Sequence, residues 1–224
     1  MIKGKISEIF ESIQGEGLFV GERHLFVRFY GCNLTCKFCD THLTYFEEYE
    51  PSRLLEIVAQ RRNGSSCVVF TGGEPLLQTD FLKEVVGRTK EAGFKNYLET
   101  NGSMPEALEE VIEYMDIVAM DLKLPTSTGM PGFLKAHTRF LEIAMRKDCF
   151  LKAVICLSTE ESDINEMIRL FHENRIHATV VLQPNSQELS IRLLKKIDQF
   201  KARLIEANIA TCMIPQLHKI IGAP

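Results

Sequence analysis

HLFVRFYGCNLTCKFCDT, residues 24–41, sets an apolar run directly against a loop crowded with thiols. The run HLFVRFY (24–30) is aliphatic and aromatic throughout most of its length, as a strand covered on both faces requires. The same run-then-polar-loop arrangement recurs along the chain. Further apolar runs are CVVF (67–70), NYLE (96–99), DIVAMDLK (116–123), CFLKAVI (149–155), ATVVLQ (178–183) and TCMI (211–214). Between them lie stretches with helical spacing of apolar residues: 51–62, 80–93, 105–115, 132–147, 160–174 and 187–204. Pro51, Pro105 and Asp80 stand where helix starts favour them. Hydrophobic strands alternating with helices predict a parallel sheet covered by helices. Six or seven units are too few for an eight-fold barrel. The expected architecture is therefore α/β, a partial, open β/α barrel of about six parallel strands with helices outside. No internal repeat, low-complexity segment or Pro/Gly/Ser-rich linker interrupts the pattern, so residues 1–224 read as a single domain.

Hydrophobic residues make up 45% and charged residues 25%, which excludes a disordered tail, a collagen and a mucin-like stalk. No apolar run approaches the ~18 residues of a spanning helix. MIKGKISEIFESIQGEG has no apolar stretch of the secretory kind, so the expected location is the cytoplasm, with no membrane partner. The net charge is −4, and the pairs at 61–62 and 195–196 read as solvated helix faces. Direct nucleic-acid binding, which needs a concentrated positive field, is not expected.

In folds of this class chemistry gathers on the loops after the strands. Six such loops carry polar or Gly-rich sequence: GCNLTCKFCDT (31–41), TGGEP (71–75), ETNGS (99–103), DLKLPTSTG (121–129), QPNS (183–186) and PQLHK (215–219). Of seven cysteines, Cys67, Cys149, Cys156 and Cys212 sit singly in apolar runs and read as small buried hydrophobes. In a reducing compartment structural disulfides are not expected. Cys32, Cys36 and Cys39 share eight residues and are not core filling. Two readings stand open. Thiolates are soft ligands for an iron–sulfur cluster, and three of them leave a fourth iron free for a small molecule. Alternatively, His42 completes a closed structural zinc site. A zinc site leaves the other five loops without a purpose.

CNLTCKFC, with Phe38 before its last cysteine, resembles the Cys-x3-Cys-x2-Cys loop of radical S-adenosylmethionine enzymes. The resemblance implies a 4Fe-4S cluster on Cys32, Cys36 and Cys39. S-adenosylmethionine then binds the open iron, and one electron cleaves it to a 5′-deoxyadenosyl radical. TGGEP is similar to the glycine-rich strand end of those enzymes: Gly72 and Gly73 let the backbone approach the methionine moiety, with Glu74 near its ammonium. Alone, TGGEP is also a plain strand exit, and ETNGS plain turn chemistry.

FESIQGEGLFVGERHLFVRFYGCNL with the following CDT, then TGGEPLLQ and PQLHKIIGAP, resemble the 7-carboxy-7-deazaguanine synthase family. The stretch from about 104 to 180 is not aligned with the family motif by motif. The family acts in 7-deazapurine (queuosine-type) biosynthesis. It rearranges 6-carboxy-5,6,7,8-tetrahydropterin with loss of ammonia and the help of Mg²⁺. The resemblance implies that Ile13, Gln14 and Gly15 line the pterin, with Glu16 beside them. Arg28 would pair with a substrate carboxylate, and Thr71 would touch substrate while Gly73 touches cofactor. Phe38, Cys39, Asp40 and Glu74 fall on the cofactor, and Thr41 on Mg²⁺. Asp121, Leu122 and Lys123, which depart from the Ser-Pro-Lys of some relatives, and Leu182, Gln183, Pro184 and Asn185 fall on the adenosine. His218 and the carboxylate of Pro224 would close over the substrate, drawn in by burial of Ile220 and Ile221. A one-electron donor such as flavodoxin or ferredoxin and a homodimer are further implications. Without the resemblance QGEG is a tight loop, Arg28 a surface ion pair, Thr41 a turn residue and His218 an exposed loop histidine. His24, His42, His137, His172 and His177 read as structural or surface residues. The rivals are a glycyl-radical-enzyme activase and a zinc-stabilised binding module.

Overall fold

In a computed structural model, which describes residues 2–41, 43–61 and 64–222, all seven apolar runs form strands. They are β2 (Arg23–Phe29), β4 (Cys67–Gly72), β5 (Lys95–Thr100), β6 (Ile117–Asp121), β7 (Asp148–Ile155), β8 (Val180–Pro184) and β9 (Thr211–Met213). Each is parallel to the next in that order. Two strands lie beyond the apolar runs. β1 (Gly4–Ile13) runs antiparallel to β2, and β3 (Glu47–Tyr49) antiparallel to β1. The nine-stranded sheet thus runs from β3 to β9 and stays open, with seven parallel strands where about six were expected. A register shift between Ile6 and Glu8 hides β1 from a period-two reading. Ile6 and Ile9, of opposite parity, pack into the same helix-side core, while Phe10 stacks on Phe26 on the other face.

The six expected helices are α1 (Pro51–Gln60), α2 (Thr79–Glu91), α3 (Pro105–Val111), α5 (Leu134–Ala144), α6 (Glu161–Glu173) and α7 (Ile191–Glu206). Two short ones, α4 (Pro125–Thr128) and α8 (Leu217–Ile221), occupy rim loops. α7 begins later than the apolar spacing suggests. Ser186–Glu188 form a 3-10 turn, and the Ser190 side chain then accepts from Leu193 N, setting the helix start.

The parallel strands are apolar on both faces because both are covered. Val27, Phe29, Val68, Phe70, Leu98, Val118, Leu151 and Val180 meet the helices, through residues such as Leu54, Leu82, Val85, Phe140 and Ile197. Phe26, Val69, Tyr97, Ala119, Phe150 and Val181 form a second layer on the concave face, joined by Phe10 and Phe19. No helix among the described residues is long and apolar enough to cross a membrane.

Candidate active site

Strand side chains alternate faces, so the residue two positions beyond each floor residue also faces the concave side. Those residues are Arg28, Thr71, Glu99, Asp121, Lys152 and Gln183. An apolar floor therefore carries a polar storey toward the carboxyl ends of the strands. Glu99 accepts from Thr71 Oγ1 at 2.7 Å and from Gln14 Nε2 at 2.9 Å. Asp121 Oδ2 accepts from Lys123 Nζ at 2.8 Å, and its Oδ1 lies 3.2 Å from Lys152 Nζ. Lys152 also bonds Glu16. Arg28 pairs through Nε with Glu8 at 2.7 Å and lies over the Phe10 ring.

Buried charges persist only when paired, and these are. Burial acts against Lys152 as a cation, yet Asp121, Glu16 and Glu99 outweigh it and hold Lys152 charged, well above its ordinary range. Burial would raise Glu16 and Asp121, but Lys152 with Gln216 and Lys123 with Lys152, respectively, hold both below their ordinary values. Glu99 goes the other way. Burial, reinforced by Glu16, pushes it up against the pull of Lys152.

The β1–β2 hairpin connection does not project into solvent. It folds across the concave face, so that Phe19 contacts Tyr97 and Phe150, and Glu16 reaches Lys152. There it meets the last segment of the chain. Leu217 N donates to Gly15 O at 2.8 Å, and Gln216 Nε2 donates to Glu16 Oε1 at 2.7 Å. His218 packs on Gly15 so closely that a Cβ there would lie 2.1 Å from its Nδ1. Burial lowers the His218 pKa, with Glu16 opposing. Lys219 pairs with Asp40 at 2.8 Å. The open side of the barrel is thus bridged by loop and tail. The tail does not dock by burying Ile220 and Ile221, which are 62% and 54% exposed. Polar contacts from residues 216–219 hold it instead, and the apolar pair is left on the outer side. Pro224 lies outside the described residues.

The cysteine loop sits at the same rim. Asn33 accepts from Asn101 Nδ2 at 2.8 Å and donates to Ser103 Oγ at 2.9 Å, tying the loop to the end of β5. Lys37 N donates to Thr128 O at 2.9 Å, tying it to α4. Cys32 and Cys39 are exposed and Cys36 half-buried. Burial pushes the Cys32 and Cys36 thiols up, and Lys123 pulls both down. Three soft donors on one braced loop beside a lysine cation suit a thiolate-held cluster. Among the described residues no three His, Cys, Asp or Glu side chains stand grouped for a single metal ion, and His42 lies outside those residues.

TGGEP is held by the chain itself. A Cβ on Gly73 would lie 1.9 Å from Gly31 O, and one on Gly72, at φ +127, 2.2 Å from Phe29 O. Glu74 N donates to Gly31 O at 2.8 Å. These glycines are required where the turn meets the root of the cysteine loop, whatever else approaches them. Glu74 is fully buried and accepts from Leu76 N, Asn101 N and Thr100 Oγ1. Burial raises it to about 7.

The other expected residues divide by face. Ile13 ends β1 opposite Arg23, and Thr41 lies 3.5 Å from Asp40 through its hydroxyl. Phe38 lies under Lys123, 5.6 Å from its Nζ. Leu122 and Leu182 point into the helix-side core, so only their backbones face the rim. Gln183 is 2% exposed, and its Oε1 has no hydrogen-bond partner among the described residues, a place for a donor on a bound molecule. Pro184 is buried at the end of β8, and Asn185 caps the following turn through Gln187 N. Glu99 and Gln216 lie within the loops ETNGS and PQLHK without a role assigned to them from sequence, and Lys152 lies in none of the quoted loops. Glu99 and Lys152 are nonetheless marked as charges with floor parity inside the apolar runs NYLE and CFLKAVI.

Residues 26–154 match the Radical SAM superfamily, and that superfamily is the class to which this enzyme belongs. Its members work with a 4Fe-4S cluster and S-adenosylmethionine. A 7-carboxy-7-deazaguanine synthase of Geobacter sulfurreducens is 33% identical over 97% of this chain and 97% of its own. One of Hyperthermus butylicus is 46% identical over 98% of this chain and 93% of its own. The chain belongs to the 7-carboxy-7-deazaguanine synthase family. The crystal structure of QueE from Escherichia coli has the same fold, with a TM-score of 0.68 at 20% identity over 95% of this chain and 94% of that one.

Proposed function

We propose that the chain converts 6-carboxy-5,6,7,8-tetrahydropterin to 7-carboxy-7-deazaguanine with loss of ammonia, as a lyase of 7-deazapurine biosynthesis. Closure of the concave face carries this conclusion: Gly15 and Glu16 bond Leu217 and Gln216 across the open side of the sheet. An activase that modifies a protein needs that side open to a partner loop. A bridged chamber with an apolar floor and fixed polar groups suits a flat, small heterocycle.

The roles follow from the groups present. Gln14, Glu16 and Thr71 offer hydrogen-bond partners at set positions, as a heterocycle with amide-like edges requires. The backbone of Ile13 and Gly15 lies beside them. Arg28 offers a guanidinium to the substrate carboxylate. His218 acts from the tail; the role that the family likeness gives Pro224 falls outside the described residues. Gly73, Glu74, Phe38, Asp40, residues 121–123 and residues 182–185 serve the cofactor side. When bound, the cluster and S-adenosylmethionine supply hydrogen-atom abstraction. The chain contributes orientation and exclusion of water, which strengthens every charge in the chamber. Thr41, half-buried beside Asp40, offers the hard oxygen that Mg²⁺ prefers. A one-electron donor such as flavodoxin or ferredoxin, a homodimer, a cytoplasmic location and a single catalytic domain complete the reading. The continuous sheet supports the last.

Anaerobically reconstituted chain incubated with the pterin and a reductant should yield 7-carboxy-7-deazaguanine by mass spectrometry, with one ammonia per product. Consumption of S-adenosylmethionine without that product would overturn the substrate.

A further inference from the structure

A line of alternating charges crosses the chamber, and each carboxylate in it is divided between two partners. Lys123 Nζ lies over the Phe38 ring of the cysteine loop and bonds Asp121 Oδ2. Asp121 Oδ1 faces Lys152 Nζ. Lys152 bonds Glu16 Oε2, and Glu16 Oε1 accepts from Gln216. The line therefore runs from the cysteine loop to the tail through residues 38, 123, 121, 152, 16 and 216. Lys152 is its centre. Among the described residues it is the one side chain bonded to both Asp121 and Glu16.

Lys152 and Asp121 are register partners on neighbouring strands, whereas Glu16 belongs to a loop. Lys152 stands in the middle of β7, flanked by β6 and β8 in the sheet, and is 8% exposed. Asp121 is the last residue of β6, where the cofactor-side loop begins. Glu16 lies in a loop, and Gln216, just before α8, covers it. Lys152 thus links the strand end that opens the cofactor-side loop to the β1–β2 connection and, through Glu16, to Gln216. A ligand that orders one anion fixes part of the arrangement that the other ligand needs, and lowers the ordering cost of the second binding step.

We propose that Lys152 is a positioning residue that couples the two sides of the chamber, so that S-adenosylmethionine and pterin each bind more tightly when the other is present. This rests on the substrate reading above. By linkage the enhancement is the same whichever ligand is added first. A lysine that merely neutralised buried carboxylates would, when lost, weaken each ligand separately and leave their mutual enhancement intact.

The test measures the affinity of the reconstituted holoenzyme for S-adenosylmethionine with and without saturating pterin, in the parent, Lys152→Met and Lys152→Arg. The parent should show an enhancement of about tenfold. Lys152→Met should reduce it below about twofold, and Lys152→Arg should retain most of it. Full enhancement in Lys152→Met, or none in a parent that binds both ligands, would overturn the proposal. Hydrogen exchange of the ligand-free chain gives a second arm that needs no substrate. Amides at 14–17 and 216–217 should exchange at least about tenfold faster in Lys152→Met, with β4 and β5 unchanged. Unaltered exchange there would equally overturn it. Should Lys152→Met not fold, Glu16→Gln removes the charge of the same link at its loop end and replaces it in both arms. A parent that binds no pterin would sink the substrate reading instead, and the exchange arm would still decide what Lys152 holds.

Discussion

Seven cysteines, two environments: three thiols lie on the rim loop, while Cys67 and Cys156 are buried and Cys149 and Cys212 partly so. Burial carries Cys67 and Cys149 to about 12, far from the thiolate form that binds iron. Cys32→Ala, Cys36→Ala and Cys39→Ala should each abolish iron binding, whereas Cys67→Ala and Cys212→Ala should keep it; full iron in Cys36→Ala would contradict this. His137 gives a pH test. It is buried, bonds Asn101 O through Nε2, and burial pushes it down to about 4 from 6.5. Between those values the unfolded chain holds the proton and the folded chain does not. Stability from this group is full above pH 6.5 and is lost as pH falls toward 4, by up to about 3 kcal/mol. Urea unfolding of the iron-free chain should show about 2 kcal/mol less dependence between pH 7.5 and pH 5 in His137→Gln than in the parent. Equal slopes would remove His137 from that account. The cysteines could be read from spacing alone because a short motif carries its own geometry. Lys152 could not, since its partners are 31 and 136 residues away and a lone lysine in an apolar run names neither.

Elements rather than residues decide how the rim is built. β4 ends in Gly72 and is followed by Gly73 because its exit presses against the backbone of residues 29–32. Gly73→Ala should cost about 3 kcal/mol, the upper range for overpacking, and should release iron from the reconstituted protein. Gly87→Ala is the control. It lies within α2, its new Cβ would meet Tyr114 at an ordinary 3.7 Å, and it should gain up to about 1 kcal/mol. Thermal melts of both variants check the pair. At the other end of the chain, α8 docks through polar contacts, so residues appended after Pro224 should weaken pterin binding more than S-adenosylmethionine binding. Unchanged pterin affinity in a tagged chain would separate the tail from the pocket. Six helices follow from periodicity because each buries one face of fixed period, and seven strands follow from apolar runs because both of their faces are covered. β1 does not, because its bulge shifts the parity midway. Three-residue β3 and the short helices α4 and α8 leave too few positions for any period to emerge.

The whole molecule is a sheet left open between β3 and β9, with a hairpin loop and the chain terminus meeting over its concave face. Gln216 and Glu16 are 200 residues apart, and no local pattern announces that they touch. Motif and family likeness bring each segment to the rim. Their mutual contact bridges the concave face, and on the proposed reading that closure favours a small pterin over a protein substrate. If the bound cofactor supplies hydrogen-atom abstraction, the substrate hydrogen would pass directly from carbon to carbon and end in a C–H bond that does not exchange with water. The direct measurement is anaerobic turnover with pterin deuterated at C6, with mass analysis of the 5′-deoxyadenosine formed. Deuterium should appear in 5′-deoxyadenosine alongside 7-carboxy-7-deazaguanine. Product formed with unlabelled 5′-deoxyadenosine, or labelled pterin recovered intact while S-adenosylmethionine is consumed, would contradict the account.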